Sequence, residues 1–117
     1  MNKIHNPKEP DISFWDSYTF RNHRLLTEAL THSSFSAEHG LSFNNQRLEF
    51  LGDAVLQLLT TEVLFLKFLA KDEGVMSQMR SVLVCQPTLA NFAKLIGLEK
   101  KIRLGKGEQK CGGNTKI

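Results

Sequence analysis

Two acidic residues stand four positions apart in the apolar segment RLEFLGDAVLQL, which begins at Arg47. On a helix, Glu49 and Asp53 would share one face, where like charges repel by about 0.2–0.5 kcal/mol. Gly52, between them, costs a helix roughly 1 kcal/mol relative to alanine. Pairing with Arg47 or Arg80, protonation of the carboxyl groups, or a bound divalent cation would each offset the repulsion. Mg²⁺ prefers carboxylate oxygens, and Gly52 would then allow close approach of a neighbouring helix or ligand.

The segment around these acids predicts one long helix. Apolar residues lie on nearly every side between Leu48 and Leu66, which is typical of a helix enclosed by the fold. We expect the helix to span residues 46–69, with Asn44 or Asn45 capping its first turn. Isolated charges on such a buried helix need compensation. The polar exceptions form one narrow stripe along it: Glu49, Asp53, Gln57 and Thr60 or Thr61.

The rest of the chain predicts more helices and no strands. Residues 1–13 contain two prolines and indicate an irregular lead-in, and a helical pattern follows over 14–30 with a break near Arg21–Asn22. THSSFSAEHGLSFNN predicts a short helical turn and a loop. A further helix should cover 75–96, where Pro87 either kinks the helix or opens a new one. GKGEQKCGGN predicts a glycine-rich basic loop, so the expected fold class is all-α.

The composition is that of a globular domain. The chain has 117 residues, of which 41% are hydrophobic and 23% charged, enough for one domain with one core. We find neither a membrane-spanning apolar stretch nor a signal peptide, and therefore expect no membrane partner and a cytoplasmic location. Cys85 and Cys111 have no metal-binding spacing, so we expect Cys85 in the core and Cys111 in a loop.

Positive charge is concentrated at one end of the sequence. The whole chain carries a net charge of +3, whereas residues 100–117 hold six basic side chains and a single acid, Glu108. A basic segment behind a slightly acidic body is consistent with a polyanionic partner. Exposed basic loops of ordinary proteins give the same pattern, so the charge alone leaves both interpretations open.

Several motifs together resemble one known family. NNQRLEFLGDAVL resembles the signature of the ribonuclease III family, whose usual form is NERLEFLGDAVL. ALTHSS resembles the family's ALTHxS element, and EGVMSQMRSVLV resembles its EGxLTxLRAxLV segment. GLEKKIRLGKGEQKCGG, from Gly97 onward, resembles its basic glycine loop. The likeness extends from about Phe14 to Ile117.

This resemblance implies an all-α endonuclease domain that forms a homodimer and cleaves double-stranded RNA with Mg²⁺, or with Mn²⁺ in its place. Carried over by position, Glu49 and Asp53 would be the metal-binding and catalytic acids. Phe50 and Gln46 would lie at the dimer interface, although an ordinary core position suits Phe50 equally well. Bound metal would activate water and stabilise charge on the phosphate.

The resemblance also bears on the basic residues, whereas the interpretation of His32 rests on its neighbours in the sequence. Arg47 and Arg80 would orient carboxylates or meet phosphate, or form buried structural pairs. His32 lies beside serines, but no acid is placed to complete a nucleophilic triad, so we expect a structural hydrogen bond. The residues assigned to RNA binding are Arg103, Lys106 and Lys110.

Two departures from the family pattern modify this expectation. Gln46 stands where the family usually has glutamate, which should weaken function without abolishing it. In the family, a helix with an LADxxEA pattern follows the glycine loop and completes the metal site, whereas this sequence stops at GGNTKI. We therefore expect residues 14–117 to form an incomplete ribonuclease III-like domain, with no double-stranded-RNA-binding domain and with impaired cleavage.

Three interpretations follow from the sequence. The first is a double-stranded-RNA endonuclease, impaired when this chain acts alone. The second is a non-catalytic fragment that dimerises or binds RNA without cleaving it, and the third is a structural helical protein without a nucleic-acid role. An incomplete core should also leave apolar helix faces exposed and favour self-association.

Overall fold

The computed structural model of the chain describes residues 17–110. The expected lead-in, residues 1–13, and the expected loop cysteine, Cys111, lie outside the described residues. Within them the chain forms six α-helices and one 3-10 turn, and its only strand-like pairing is a parallel bridge between Thr31 and Arg103. The all-α prediction is confirmed. The helices are α1 (His23–Ala29), α2 (Ser33–His39), α3 (Gln46–Lys67), α4 (Glu73–Leu83), α5 (Gln86–Leu95) and α6 (Lys106–Lys110), and the 3-10 turn is Leu98–Lys100.

Local capping explains where several helices begin. The Asn22 side chain accepts a hydrogen bond from the Arg24 N–H at 3.0 Å, which starts α1 just after the predicted break. Asp72 caps α4 by accepting from the Val75 N–H at 2.9 Å. Pro87 lies in the first turn of α5, so it opens a new helix and does not kink a continuous one.

Helix α3, with 22 residues, is the longest described element and packs chiefly on α4. Leu64 is buried there, and the Arg80 guanidinium of α4 donates to the Thr61 hydroxyl at 2.9 Å. The opposite side of α3 has no cover among residues 17–110. We call it the bare face, and its side chains are between 48% and 66% exposed: Leu51, Val55, Leu58, Leu59 and Leu66.

The bare face corrects the prediction that α3 is enclosed on all sides. Apolar periodicity reports which sides of a helix are suited to burial, and here α3 packs mainly on α4 and less on α1, while its remaining side is exposed within the described chain. The hydrophobic core formed by residues 17–110 is correspondingly small, and its buried apolar residues are Leu64, Ala93 and Leu104.

A second, polar centre joins the beginning of the described chain to its end. The Arg103 N–H donates to the Leu30 carbonyl at 2.8 Å, and the His32 N–H donates to the Arg103 carbonyl at 3.0 Å. Thr31 lies between them and is completely buried. We call this meeting point the Thr31 junction. Because it brings residue 103 back to the loop between α1 and α2, it also fixes the position of α6.

Residues 106–110 are helical, so the prediction of a loop throughout GKGEQKCGGN is wrong for this part. The Glu38 carboxylate accepts from the Lys106 N–H at 3.0 Å, and the Ser34 hydroxyl accepts from the Gly105 N–H at 2.9 Å. These acceptors satisfy donors at the start of α6, which the local sequence, with its two glycines, would leave unpaired. A contact 68 residues distant in sequence therefore decides a local conformation.

None of the helices in the described part of the chain combines the length and the hydropathy that a membrane crossing requires.

Candidate active site

Glu49 and Asp53 lie in the first two turns of α3, and both are exposed. They line one open groove together with Gln46, Phe50 and other residues of α3, and with Leu89 of α5. The structure thus brings the two predicted acids to one accessible surface. The prediction that they belong to a buried stripe is wrong, because only its later members, Gln57, Thr60 and Thr61, are partly covered.

The groove suits a hard divalent cation. Two carboxylates one helical turn apart offer the oxygen ligands that Mg²⁺ prefers, and water or phosphate oxygens usually fill its remaining positions. Between residues 17 and 110, no group of three or more His, Cys, Asp or Glu side chains could hold a metal ion. Glu49 and Asp53 are the two carboxylates that line this groove, and two carboxylates match the ligand preference of Mg²⁺ better than that of zinc.

Arg80 does not pair with the two acids, which was one of the alternatives for offsetting their repulsion. Arg80 directs its guanidinium to Thr61, two turns beyond Asp53 on α3. Gly52 likewise lacks the expected neighbour, because a Cβ built there would meet nothing within 4 Å in the described chain. Exposure makes pairing less necessary, since two solvated carboxylates repel each other only weakly.

A cavity of about 410 Å³ lies next to the groove, and Glu49 borders both. Its polar lining includes His32, Asn45, Gln86 and Glu108. Glu108 comes from the unexpected helix α6, which places a further carboxylate beside the cavity that Glu49 borders. Sequence reasoning missed this residue because it treated the segment as a loop and counted Glu108 only as a charge.

His32 has the structural role that its sequence context predicted. Its Nδ1 accepts a hydrogen bond from the Ser34 N–H at 3.1 Å and lies 2.7 Å from the Ser34 hydroxyl, so it caps α2. The same hydroxyl accepts from the Gly105 N–H, which links the cap to the start of α6. His32, which lines the cavity, is therefore linked through Ser34 to Gly105 at the start of α6.

The Thr31 junction positions the first turn of α3. The Asn45 N–H donates to the Thr31 carbonyl at 2.8 Å, and the Asn45 side chain reaches the Ala29 carbonyl at 3.3 Å. The Asn45 carbonyl in turn accepts from the Glu49 N–H at 2.8 Å. Asn44, the other predicted cap, accepts from the Gln46 N–H at 3.0 Å. No sequence pattern predicted that Thr31 would anchor the first turn of α3.

The three assigned RNA-binding residues have different surroundings. The Lys106 side chain is exposed, whereas the main-chain N–H of Lys106 donates to the Glu38 carboxylate. Arg103 is half-buried, and its guanidinium contacts the Thr31 hydroxyl and the Phe35 ring. The side chain of Lys110 lies outside the described residues. Of Arg103 and Lys106, the geometry makes Lys106 the better suited to meet a phosphate.

Phe50 and Gln46 are both exposed beside the two acids. The Phe50 side chain is 85% exposed, so the alternative of an ordinary core position is excluded for the described chain. Gln46 and Phe50 also line a second surface depression, together with Arg47 and Leu51. Phe50 and Leu51 therefore adjoin on an exposed apolar surface.

Cys85 lies at the start of α5 and is half-buried, not enclosed in the core as expected. A hydrogen bond with the Thr88 hydroxyl, 3.1 Å from the sulfur, and a further one from the Thr88 main chain lower the pKa of the Cys85 thiol. The thiol does not border the groove or the cavity, so this shift belongs to the helix start and not to the candidate site.

Comparison with known proteins gives consistent matches. A family model described as ribonuclease-III-like matches residues 22–117. Ribonuclease 3 of Streptococcus agalactiae is 50% identical over 118 residues, which cover 99% of this chain and 50% of that protein. Ribonuclease 3 of Listeria monocytogenes is 48% identical over 101 residues, covering 85% of this chain and 44% of that protein. The chain thus spans about half the length of these curated relatives.

Solved structures agree with the sequence matches. A nuclease domain of ribonuclease III from Campylobacter jejuni, described for flexibility in a region involved in dimer formation, has a TM-score of 0.76 and 43% identity. The match covers 86% of this chain and 67% of that one. A second structure of the same domain at 2.2 Å resolution has a TM-score of 0.76 and 40% identity, with 91% and 71% covered.

Proposed function

This chain belongs to the ribonuclease-III-like family, and on that basis we propose that it acts in the Mg²⁺-dependent endonucleolytic cleavage of double-stranded RNA. The observation that carries the proposal is the exposed pair Glu49 and Asp53, which share one groove at the start of α3. The relatives named ribonuclease 3 and the similar nuclease domains support the same reaction class.

In the proposed mechanism, Glu49 and Asp53 hold the cation on the open side of α3. Mg²⁺ held by these two carboxylates would activate water and neutralise charge on the phosphate. Gln46 lines the same groove and offers an amide for hydrogen bonding to water or phosphate, where a carboxylate would repel the phosphate. Lys106 supplies a positive charge to the RNA backbone.

A second candidate function is RNA binding without cleavage. It is favoured by the absence of any group of three metal-ligating side chains between residues 17 and 110. Phosphoryl transfer depends on reacting groups held in fixed positions, and two carboxylates on one exposed helix flank fix a cation only loosely. We propose that cleavage by this chain alone is therefore weak. The homodimer and the cytoplasmic location inferred from sequence stay predictions.

The experiment measures binding and cleavage separately on the purified chain. A gel shift with a perfect RNA duplex over a salt series should show affinity that falls steeply with salt, because phosphate contacts release counterions. Cleavage of the same duplex is then measured with Mg²⁺ and without it. Asp53→Asn is the test variant, and Glu62→Gln, on an exposed part of α3 away from the groove, is the matched control.

The outcomes separate the candidate functions. Mg²⁺-dependent cleavage that Asp53→Asn abolishes and Glu62→Gln preserves would support the endonuclease. Salt-dependent binding without cleavage would support the second function. A chain that neither binds the duplex nor cleaves it would contradict both and leave a structural helical protein.

A further inference from the structure

We propose that Arg103 is a positioning residue, which orients the first turn of α3 and with it Glu49, and that it is not a phosphate ligand. This departs from its assignment to RNA binding on sequence grounds. The Arg103 Nη2 donates to the Thr31 hydroxyl at 2.5 Å, and the guanidinium carbon lies 4.8 Å from the centre of the Phe35 ring. Both contacts point into the molecule.

Thr31 needs the guanidinium because its hydroxyl is completely buried. The hydroxyl donates to the Thr27 carbonyl at 2.5 Å, and its oxygen accepts a hydrogen bond from the Arg103 guanidinium. An unpaired buried polar group costs free energy, so the pairing fixes the threonine in place. The threonine main chain then anchors Asn45, whose carbonyl receives the Glu49 N–H.

The Phe35 ring holds the guanidinium plane in position. His39 stacks on the same ring, with 3.9 Å between the ring centres and an angle of 16° between the planes. Arginine alone combines a planar stacking surface with several fixed donors, whereas lysine offers a rotating point charge. Arg103→Lys should therefore keep the positive charge and lose the positioning effect.

A comparable pair exists at the other end of α3. The Arg80 guanidinium donates to the Thr61 hydroxyl at 2.9 Å, and Arg80 is half-buried like Arg103. This pair ties α4 to the second half of α3, far from Asn45. Arg80→Gln is thus a matched control, because it removes a half-buried guanidinium from a threonine hydroxyl without disturbing the Thr31 junction.

The test measures hydrogen exchange at single amides of the full chain. In Arg103→Gln, exchange of the Asn45 and Glu49 N–H groups should accelerate by at least about tenfold, which corresponds to about 1.4 kcal/mol of lost local protection. Arg80→Gln should leave these two amides unchanged and accelerate exchange near Thr61. If Arg103→Gln fails to fold, Arg103→Lys carries the test, with faster exchange expected at the same two amides.

Binding to an RNA duplex provides the second measurement. Lys106→Gln should reduce the slope of log affinity against log salt by about 0.9, as loss of one phosphate contact does. Arg103→Gln should leave that slope unchanged. A slope reduced by about 0.9 in Arg103→Gln would overturn the proposal, and so would wild-type exchange rates at Asn45 and Glu49.

The importance of this positioning for metal binding rests on the proposed function. Mn²⁺ bound to the chain, followed by its electron paramagnetic resonance, should be held several-fold more weakly in Arg103→Gln than in Arg80→Gln. Equal Mn²⁺ affinity in the two variants would overturn the link to Glu49. If the unaltered chain binds no RNA duplex, the proposed function fails, whereas the exchange rates still decide the positioning role of Arg103.

Discussion

Replacement of Gly105 by alanine tests whether the close approach of α2 and α6 holds the cavity wall in place. A Cβ at this position would lie 2.8 Å from the Ser34 carbonyl oxygen and 2.8 Å from a carboxylate oxygen of Glu38. The Glu38 side chain can swing away, but the Ser34 carbonyl belongs to the backbone of α2. The two segments must therefore separate.

The cost can be estimated from the packing and the backbone. Forcing a methyl group into a filled space costs about 1–3 kcal/mol. The φ angle of Gly105 is not positive, so alanine is conformationally allowed and lowers the entropy of the unfolded chain, which returns about 0.4–1 kcal/mol. The net loss in the free energy of unfolding should be about 1–2 kcal/mol. Gly107→Ala is the control, because a Cβ there meets nothing within 4 Å.

Urea denaturation followed by circular dichroism measures both variants. Gly107→Ala should equal the unaltered chain or exceed it by up to about 1 kcal/mol, so the variants should differ by about 1–3 kcal/mol and by roughly 1–2 M in midpoint. Hydrogen exchange at Lys106, whose N–H donates to Glu38, should accelerate only in Gly105→Ala. Equal stability of the two variants would refute the inference that close packing at Gly105 holds α6 against α2.

Three further predictions concern the long helix and the thiol. Gly52→Ala should raise the free energy of unfolding of the monomer by about 1 kcal/mol in urea denaturation, because its site is open; a loss would reveal a contact there. Phe50→Ser should change monomer stability by less than about 0.5 kcal/mol, yet lower the mass found by sedimentation if Phe50 joins two copies. Thr88→Val should raise the pKa of Cys85, so that less thiolate is present at pH 8 and alkylation slows; a Cys111→Ser background isolates the signal, and an unchanged rate would contradict the assigned cause.

The sequence was sufficient to predict most helices because their signals are local. The break before α1 depends on residues within one turn of it, and Pro87 narrowed the sequence prediction to a kink or a new helix, although α4 begins two residues before the predicted start. The acids were also found locally, since four-residue spacing places Glu49 and Asp53 on one side of any helix. The exposure of the two acids could not be predicted in this way, because it depends on which other segments cover α3.

The features that were missed or misjudged depend on distant contacts. Helix α6 is stabilised by Glu38 and Ser34, about 70 positions earlier, and no local pattern in GKGEQ predicts these contacts. The burial of Thr31 and the inward direction of Arg103 have the same origin. The basic segment and its resemblance to the family's glycine loop suggested that Arg103 binds RNA, although its guanidinium contacts a threonine and an aromatic ring.

The Thr31 junction also has a consequence for synthesis on the ribosome. Its two partners, Thr31 and Arg103, are 72 positions apart, and the loop that they close contains all of α3, α4 and α5. At about 5–20 residues per second, Arg103 is added roughly 4–14 s after Thr31. Helices α3 and α4 can pair during that interval, because their contacts are close in sequence. The turn that carries Glu49 is fully anchored only after Arg103 has been added. The packing of α3 on α4 can therefore form before the candidate site is in its final position.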